Sequence, residues 1–184
     1  MKNFMFLGQS PDVIPLRAAL QMQPELWNVQ DERKVQGSPH RGTSDIWLRY
    51  NDLANLAFGY EKYIAEHDSV WHPAYRLLPQ VRPLVFWLMA RCEATRLGAV
   101  LITKIPPGGR VLPHVDAGWH PEYYNMKVYI PLQANPQCVN RVEDEMVTMK
   151  EGDAWYFDNT KEHEVINDGT DDRITLIVCM SVEK

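Results

Sequence analysis

The feature that most constrains this chain is a change of pattern near residue 97. Beyond it, apolar residues alternate with polar ones in short runs broken by turn residues, the signature of successive β-strands. Strands are expected over residues 99–105, 110–115, 123–132, 144–149, 154–158, 162–167 and 173–180. Turns are expected at Pro106-Pro107-Gly108-Gly109, Glu151-Gly152-Asp153 and Asp168-Gly169-Thr170. Many short strands at close spacing predict a sandwich, jelly roll or small barrel. Before residue 97 the patterns are helical or irregular. Residues 12–23 make a helix with Pro11 near its start. Residues 29–43 read as a long polar loop, 45–50 as a short strand, and 83–96 as a buried helix that Gly98 stops. Helices ahead of a β unit can pack on one of its outer faces.

The chain is long enough for one domain and short for two, at 184 residues. A single domain over 1–184 is expected, with a helical and irregular part at 1–96 and a β core at 97–184. Hydrophobic residues make up 45% and charged residues 23%, an ordinary globular balance that excludes wholesale disorder and coiled coil. A net charge of −5 gives no electrostatic footprint for nucleic acid or anionic lipid. The longest apolar runs fall far short of the roughly 20 residues of a membrane span. The first eight residues lack the length of a signal peptide. Three scattered cysteines, Cys92, Cys138 and Cys179, read as free thiols, and a cytoplasmic protein is expected.

Chemistry concentrates at His114-Val115-Asp116 and, further on, His163. On a strand, residues i and i+2 share a face, so His114 and Asp116 can converge. A third ligand from another strand completes a two-histidine, one-carboxylate face of the kind that suits non-haem Fe(II); other divalent metals also accept such nitrogen and oxygen donors. The triplet alone is weak. His120-Pro121-Glu122 offers a decoy that Pro121 and a loop setting rank lower, and a lone His114 reads equally well as a core histidine. Arg173 opens the apolar run Ile174–Val178, where a guanidinium is costly unless it meets an anion. With an odd-numbered loop after His163, Arg173 shares the face of that histidine and points a planar fork at a carboxylate. Pairing with Asp171, Asp172 or Glu164 is the alternative.

The segments ITKIPPGGRVLPHVD, KVYIPLQANPQC, GDAWYFDNTKEHEVIN and DDRITLIV, in this order and spacing, resemble the iron(II)- and 2-oxoglutarate-dependent oxygenases. The likeness is to their aspartyl/asparaginyl β-hydroxylase-like branch and is carried by residues 100–180. It implies a mainly β fold, a double-stranded β-helix related to jelly rolls and cupins, with the N-terminal helices packed outside. It further implies His114, Asp116 and His163 as iron ligands. Arg173, ten residues after the distal histidine, would bind the far carboxylate of 2-oxoglutarate. Thr103 is either a support for that carboxylate or an ordinary strand residue. Many members have Arg-x-His ahead of the Ile-Pro-Leu run, where this chain has Lys127-Val128-Tyr129. A cosubstrate or substrate contact is open for both, beside packing for Tyr129 and a solvated position for Lys127.

The cofactors implied are Fe(II), 2-oxoglutarate and O₂. The expected reaction hydroxylates an unactivated C–H bond of an amino-acid side chain or small molecule, releasing succinate and CO₂. The partner is then a small-molecule or peptide substrate. Trp119, His120 and Asn167 are candidate substrate contacts; for Trp119 and His120 a hydrophobic flap is the alternative, and for Asn167 a turn cap. Trp155 and Phe157 read as core, Cys92 as helix core, and residues 141–145 as a solvated loop. Two other functions stay open: a cupin-like metal enzyme that does not use 2-oxoglutarate, and a non-catalytic jelly-roll binding module.

Overall fold

A computed structural model describes residues 2–34 and 37–183. The strands are β1 (Phe4–Gln9), β2 (Ser44–Tyr50), β3 (Val70–Trp71), β4 (Arg96–Ile105), β5 (Arg110–His114), β6 (Met126–Gln133), β7 (Cys138–Val142), β8 (Glu145–Val147), β9 (Asp153–Phe157), β10 (His163–Asn167) and β11 (Arg173–Ser181). The α-helices are α1 (Ile14–Met22), α2 (Tyr60–Ile64), α3 (Ala74–Leu77), α4 (Arg82–Arg91) and α5 (Trp119–Tyr123), with short 3-10 turns between several elements.

Two antiparallel sheets form a double-stranded β-helix. The large sheet runs β1-β9-β6-β11-β4-β2-β3 and the small one β5-β10-β7-β8. Between them lie Trp47, Leu101, Ile105, Tyr129, Phe157 and Ile177 from the large sheet and Val111, Val142, Val147 and Val165 from the small one. On the outer face of the large sheet, Leu16 and Leu20 of α1 and Leu84 and Leu88 of α4 pack on Ile46, Leu48, Val100, Ile102, Val128, Ile130, Leu176 and Val178. The large sheet is thus covered on both faces. That explains why β11 is buried from Arg173 to Met180 and why its sequence is a continuous apolar run. Each such fully buried aliphatic side chain contributes about 1.5–3 kcal/mol.

The structure corrects several sequence expectations. The first residues form β1, paired with β9 from Phe4↔Phe157 to Gln9↔Asp153. Residues 141–145 are a solvated turn only at Glu143 and Asp144: Cys138–Val142 is a strand, Val142 is buried, and Arg141 pairs with Glu162 and Glu164. The helix expected to 96 ends at Arg91, and Gly98 lies inside β4. A Cβ at Gly98 would stand 2.5 Å from the Tyr124 ring, so this glycine serves a close approach rather than a helix stop. The Pro106–Gly109 turn forms as expected, with Gly108 at φ 70° and the Gly109 N–H donating to Pro106 O at 2.9 Å. No helix among the described residues is long and apolar enough to cross a membrane.

Candidate active site

β5 and β10 pair directly, with His163 opposite His114, and their rings lie 4.2 Å apart between centroids. Strand β5 ends at His114, so Asp116 stands just past it rather than on the same strand face. A loop contact holds it instead: its N–H donates to Asn159 O at 3.0 Å. Ligand-capable atoms of His114, Asp116 and His163 all lie within 4.8 Å of one another. Asp116 Oδ1 is 3.4 Å from His114 Nε2 and 4.0 Å from His163 Nε2.

Each histidine is turned by its other nitrogen. His114 Nδ1 is 2.8 Å from Leu112 O and His163 Nδ1 is 2.9 Å from Lys161 O. A backbone carbonyl accepts only from N–H, which leaves both Nε2 atoms as bare lone pairs. Both are buried with no hydrogen-bond partner. Two orphaned acceptors beside a carboxylate oxygen are costly unless a cation sits among them. This donor set fits Fe(II): two imidazole nitrogens and one carboxylate, with second contacts that fix the tautomer.

Asp116 is equally constrained. Its Oδ2 accepts from Lys127 Nζ at 2.6 Å and from Asn159 Nδ2 at 2.8 Å, leaving Oδ1 toward the histidines. Burial pushes the Asp116 carboxyl upward, but Lys127 and the two histidines outweigh it and hold it well below the usual carboxylate range. Burial pulls Lys127 down, and Asp116 more than reverses this. His163 is lowered to about 4, by burial first and then by Lys127. Lys127 is 7% exposed, so the solvated reading is wrong: it pins the Asp116 carboxylate.

Arg173 is 2% exposed. It reaches from the large sheet to the small one, donating to Asn140 Oδ1 at 2.8 Å, and its guanidinium lies 5.5 Å from the Tyr129 ring centroid. Of the carboxylates near it in sequence, Asp172 pairs with Lys104, Glu164 with Arg141, and Asp171 accepts from the Thr170 hydroxyl. No carboxylate among the described residues pairs with Arg173. Burial accordingly lowers its pKa, and the unpaired guanidinium fits the carboxylate of a bound dicarboxylic acid. β10 and β11 belong to different sheets, so they form no hairpin and loop parity does not set the face of Arg173.

Other candidates sort differently. Thr103 Oγ1 donates to Asp45 Oδ1 at 2.6 Å, so its hydroxyl is spent inside the large sheet. Asn167 is fully buried; its amide donates to Ile105 O, Pro106 O and Asp171 O, and its Oδ1 accepts from Gly169 N. It locks turns, as the turn-cap alternative has it, and does not line the cleft described next. Trp119 Nε1 donates to Ile64 O at 2.6 Å, latching α5 to α2. His120 lines the cleft described next, with a buried, unpartnered Nε2.

A cleft of about 430 Å³ opens onto His114 and Asp116. Its wall includes Lys127, Asn159, Tyr50, Tyr124 and Cys179. Glu32, Arg33 and His40, from the segment read only as a polar loop, and Asn51 also line it. No local period encodes these positions, because loop residues reach the site through long-range packing. The charged run Asp31–Lys34 was the one signal available. Arg173 and Tyr129 do not line this cleft. A separate cavity of about 10 Å³ borders His163, Tyr129, Asn140 and Phe157.

Three solved structures resemble this chain over nearly its whole length. An oxidoreductase of the 2OG-Fe(II) oxygenase family from Burkholderia pseudomallei has TM-score 0.63 and 13% identity, covering 98% of this chain and 84% of its own. A viral collagen prolyl hydroxylase from Paramecium bursaria Chlorella virus-1, in complex with 2OG, has TM-score 0.57 and 9% identity, covering 98% and 97%. A Pseudomonas putida prolyl-4-hydroxylase has TM-score 0.56 and 12% identity, covering 99% and 94%. At such identities the likeness is one of fold. No curated protein matches the sequence. The family model for aspartyl/asparaginyl β-hydroxylase matches residues 23–181. The chain therefore belongs to the aspartyl/asparaginyl β-hydroxylase family of iron(II)- and 2-oxoglutarate-dependent oxygenases.

Proposed function

We propose that this protein hydroxylates an unactivated C–H bond of an amino-acid side chain or related small molecule, with succinate and CO₂ as coproducts. The observation that carries the reading is the pair of unpartnered Nε2 atoms on His114 and His163, facing Asp116 Oδ1. These three residues are the iron ligands in this reading. Iron(II) with 2-oxoglutarate and O₂ supplies an oxidant strong enough to take hydrogen from carbon and return hydroxyl.

The chain's own work is positional and electrostatic. Leu112 O and Lys161 O orient the two imidazoles, and Lys127 with Asn159 fixes the carboxylate. Arg173, held by Asn140, takes the far carboxylate of the cosubstrate. Because Arg173 does not border the cleft, binding has to widen the small cavity beside Tyr129, Asn140 and His163. Residues 1–184 act as one oxygenase domain in this reading, since α1 and α4 cover the sheet that carries Lys127 and Arg173.

The test is direct. Metal and 2-oxoglutarate binding are titrated separately under argon, followed by succinate formation in air. His114→Ala, Asp116→Ala and His163→Ala are expected to lose metal, and Arg173→Met to keep metal while losing 2-oxoglutarate. If all four variants bind both as the parent does, the assignment is wrong.

A further inference from the structure

The cleft carries a set of groups that neither the metal nor the cosubstrate uses. Arg33 lies on its wall with a side chain only 11% exposed. Among the described residues its one side-chain hydrogen bond runs from Nη1 to Asp45 Oδ2, at 3.2 Å. Asp45 is 1% exposed and is itself held by the Thr103 hydroxyl. The guanidinium is therefore anchored on one nitrogen while most of its five N–H donors stay unspent.

Beside it, Glu32 lines the same cleft, and its Oε2 is buried with no partner. Across the wall, Asn51 donates through Nδ2 to Tyr63 O at 3.3 Å, while its Oδ1 is buried and also unpartnered. Two acceptors on the wall of this cleft thus lack a donor, and a guanidinium on the same wall has donors to spare. Orphaned buried acceptors call for an N–H or O–H donor.

We infer that the substrate is a free α-amino acid, held as its zwitterion: the α-carboxylate on Arg33, and the α-ammonium on Glu32 and Asn51. An ammonium brings three donors and a positive charge, the complement of an orphaned carboxylate oxygen and an orphaned amide oxygen on one cleft. A carboxylate matches the open edge of the guanidinium. A peptidyl residue has neither charge and leaves the Glu32 oxygen and the spare Arg33 donors without partners, so these groups select against polypeptides. The side chain is the part of the substrate left to project toward His114 and Asp116. This deepens the oxygenase reading and rests on it for the chemistry, while the zwitterion contacts stand without it.

The experiment uses the full chain loaded with Fe(II) under argon. Binding of 2-oxoglutarate is measured first. The standard L-amino acids are then titrated calorimetrically with and without 2-oxoglutarate. Any that bind are compared with their N-acetyl and C-amide counterparts. At least one free amino acid is expected to bind, and either cap is expected to weaken it about 10- to 100-fold. Glu32→Gln should erase most of the discrimination against the N-acetyl form, and Arg33→Met most of that against the amide. Thermal melts of both variants check folding, and Arg33→Lys serves as a second variant should Arg33→Met fail to fold. The inference is overturned if no free amino acid binds, or if capped forms bind as well as free ones. Failure to take up 2-oxoglutarate strikes the oxygenase reading instead, so the two failures are told apart.

Discussion

Lys127 and Asp116 meet at 2.6 Å on the one carboxylate oxygen that faces away from the histidines. The contact turns Oδ1 toward the proposed iron position and makes Asp116 a single-oxygen donor. Lys127→Met removes the pin and leaves Asn159 as the remaining donor to Oδ2. Metal affinity is expected to fall about 10- to 100-fold, the usual effect of losing an outer contact to a metal ligand. Titration with Fe(II) under argon, or with Mn(II) followed by spin resonance, measures it. Unchanged affinity would show that Asn159 alone orients Asp116.

Asn140 is to Arg173 what Lys127 is to Asp116. Asn140→Ala strands a buried guanidinium with no polar partner and should cost about 1–3 kcal/mol in urea denaturation. Asn140→Asp gives up the Nδ2 bond to Val147 O but places a carboxylate against Arg173, so it should cost less stability than Asn140→Ala without cosubstrate. It also competes with the dicarboxylate for the same cation, so 2-oxoglutarate affinity should fall at least about tenfold. Asp and Ala variants that both bind 2-oxoglutarate as the parent does would place its carboxylate away from Arg173.

Close packing rather than a helix stop explains Gly98. Its α-carbon abuts the Tyr124 ring, and Tyr124 is 1% exposed and forms part of the cleft wall. Gly98→Ala forces the ring outward and should destabilise the protein by about 1–3 kcal/mol, the usual range for overpacking. A Gly98→Ala, Tyr124→Leu double variant should recover part of that loss if the clash is the cause. Chemical denaturation of the three proteins decides it.

What the sequence revealed and what it hid follow from the range of the interactions involved. His114, Asp116 and His163 stand out because few residue types can hold a divalent metal, and their blocks keep a recognisable spacing. The strands after residue 97 show through because turns such as Pro106–Gly109 are local. β1 stayed hidden: Phe4 and Phe157 pair across most of the chain, and no short window records that. The large sheet also blurred the period-two signal, since Val100, Leu101 and Ile102 are buried on alternating faces that are both covered. Lys127 looked like a surface lysine because only the folded chain brings Asp116 to it. Arg33 and Glu32 lay in a segment with no period at all.

His120 makes the cleft sensitive to acid before any metal is added. Burial depresses its pKa first, with further lowering by Lys127, Arg33 and His67 against partial relief from Asp116, and brings it from the usual 6.5 to about 4. Its ring packs among Tyr50, Tyr124 and Trp119, the Tyr124 centroid 4.9 Å away. Between pH 6.5 and 4 the unfolded chain takes up the proton and the folded chain does not, so the unfolded state holds more protons there. Stability is therefore whole above pH 6.5 and is lost as the pH falls through this window toward 4. His120→Gln removes the titrating ring, and its metal-free protein should lose less melting temperature than the parent between pH 6.5 and 4. Part of the slope remains, because His163 is lowered to a similar value. Ring-proton titration by NMR locates the His120 pKa directly, and a value near 6.5 would mean that water reaches the ring far more freely than the packing of α5 against Tyr50 allows.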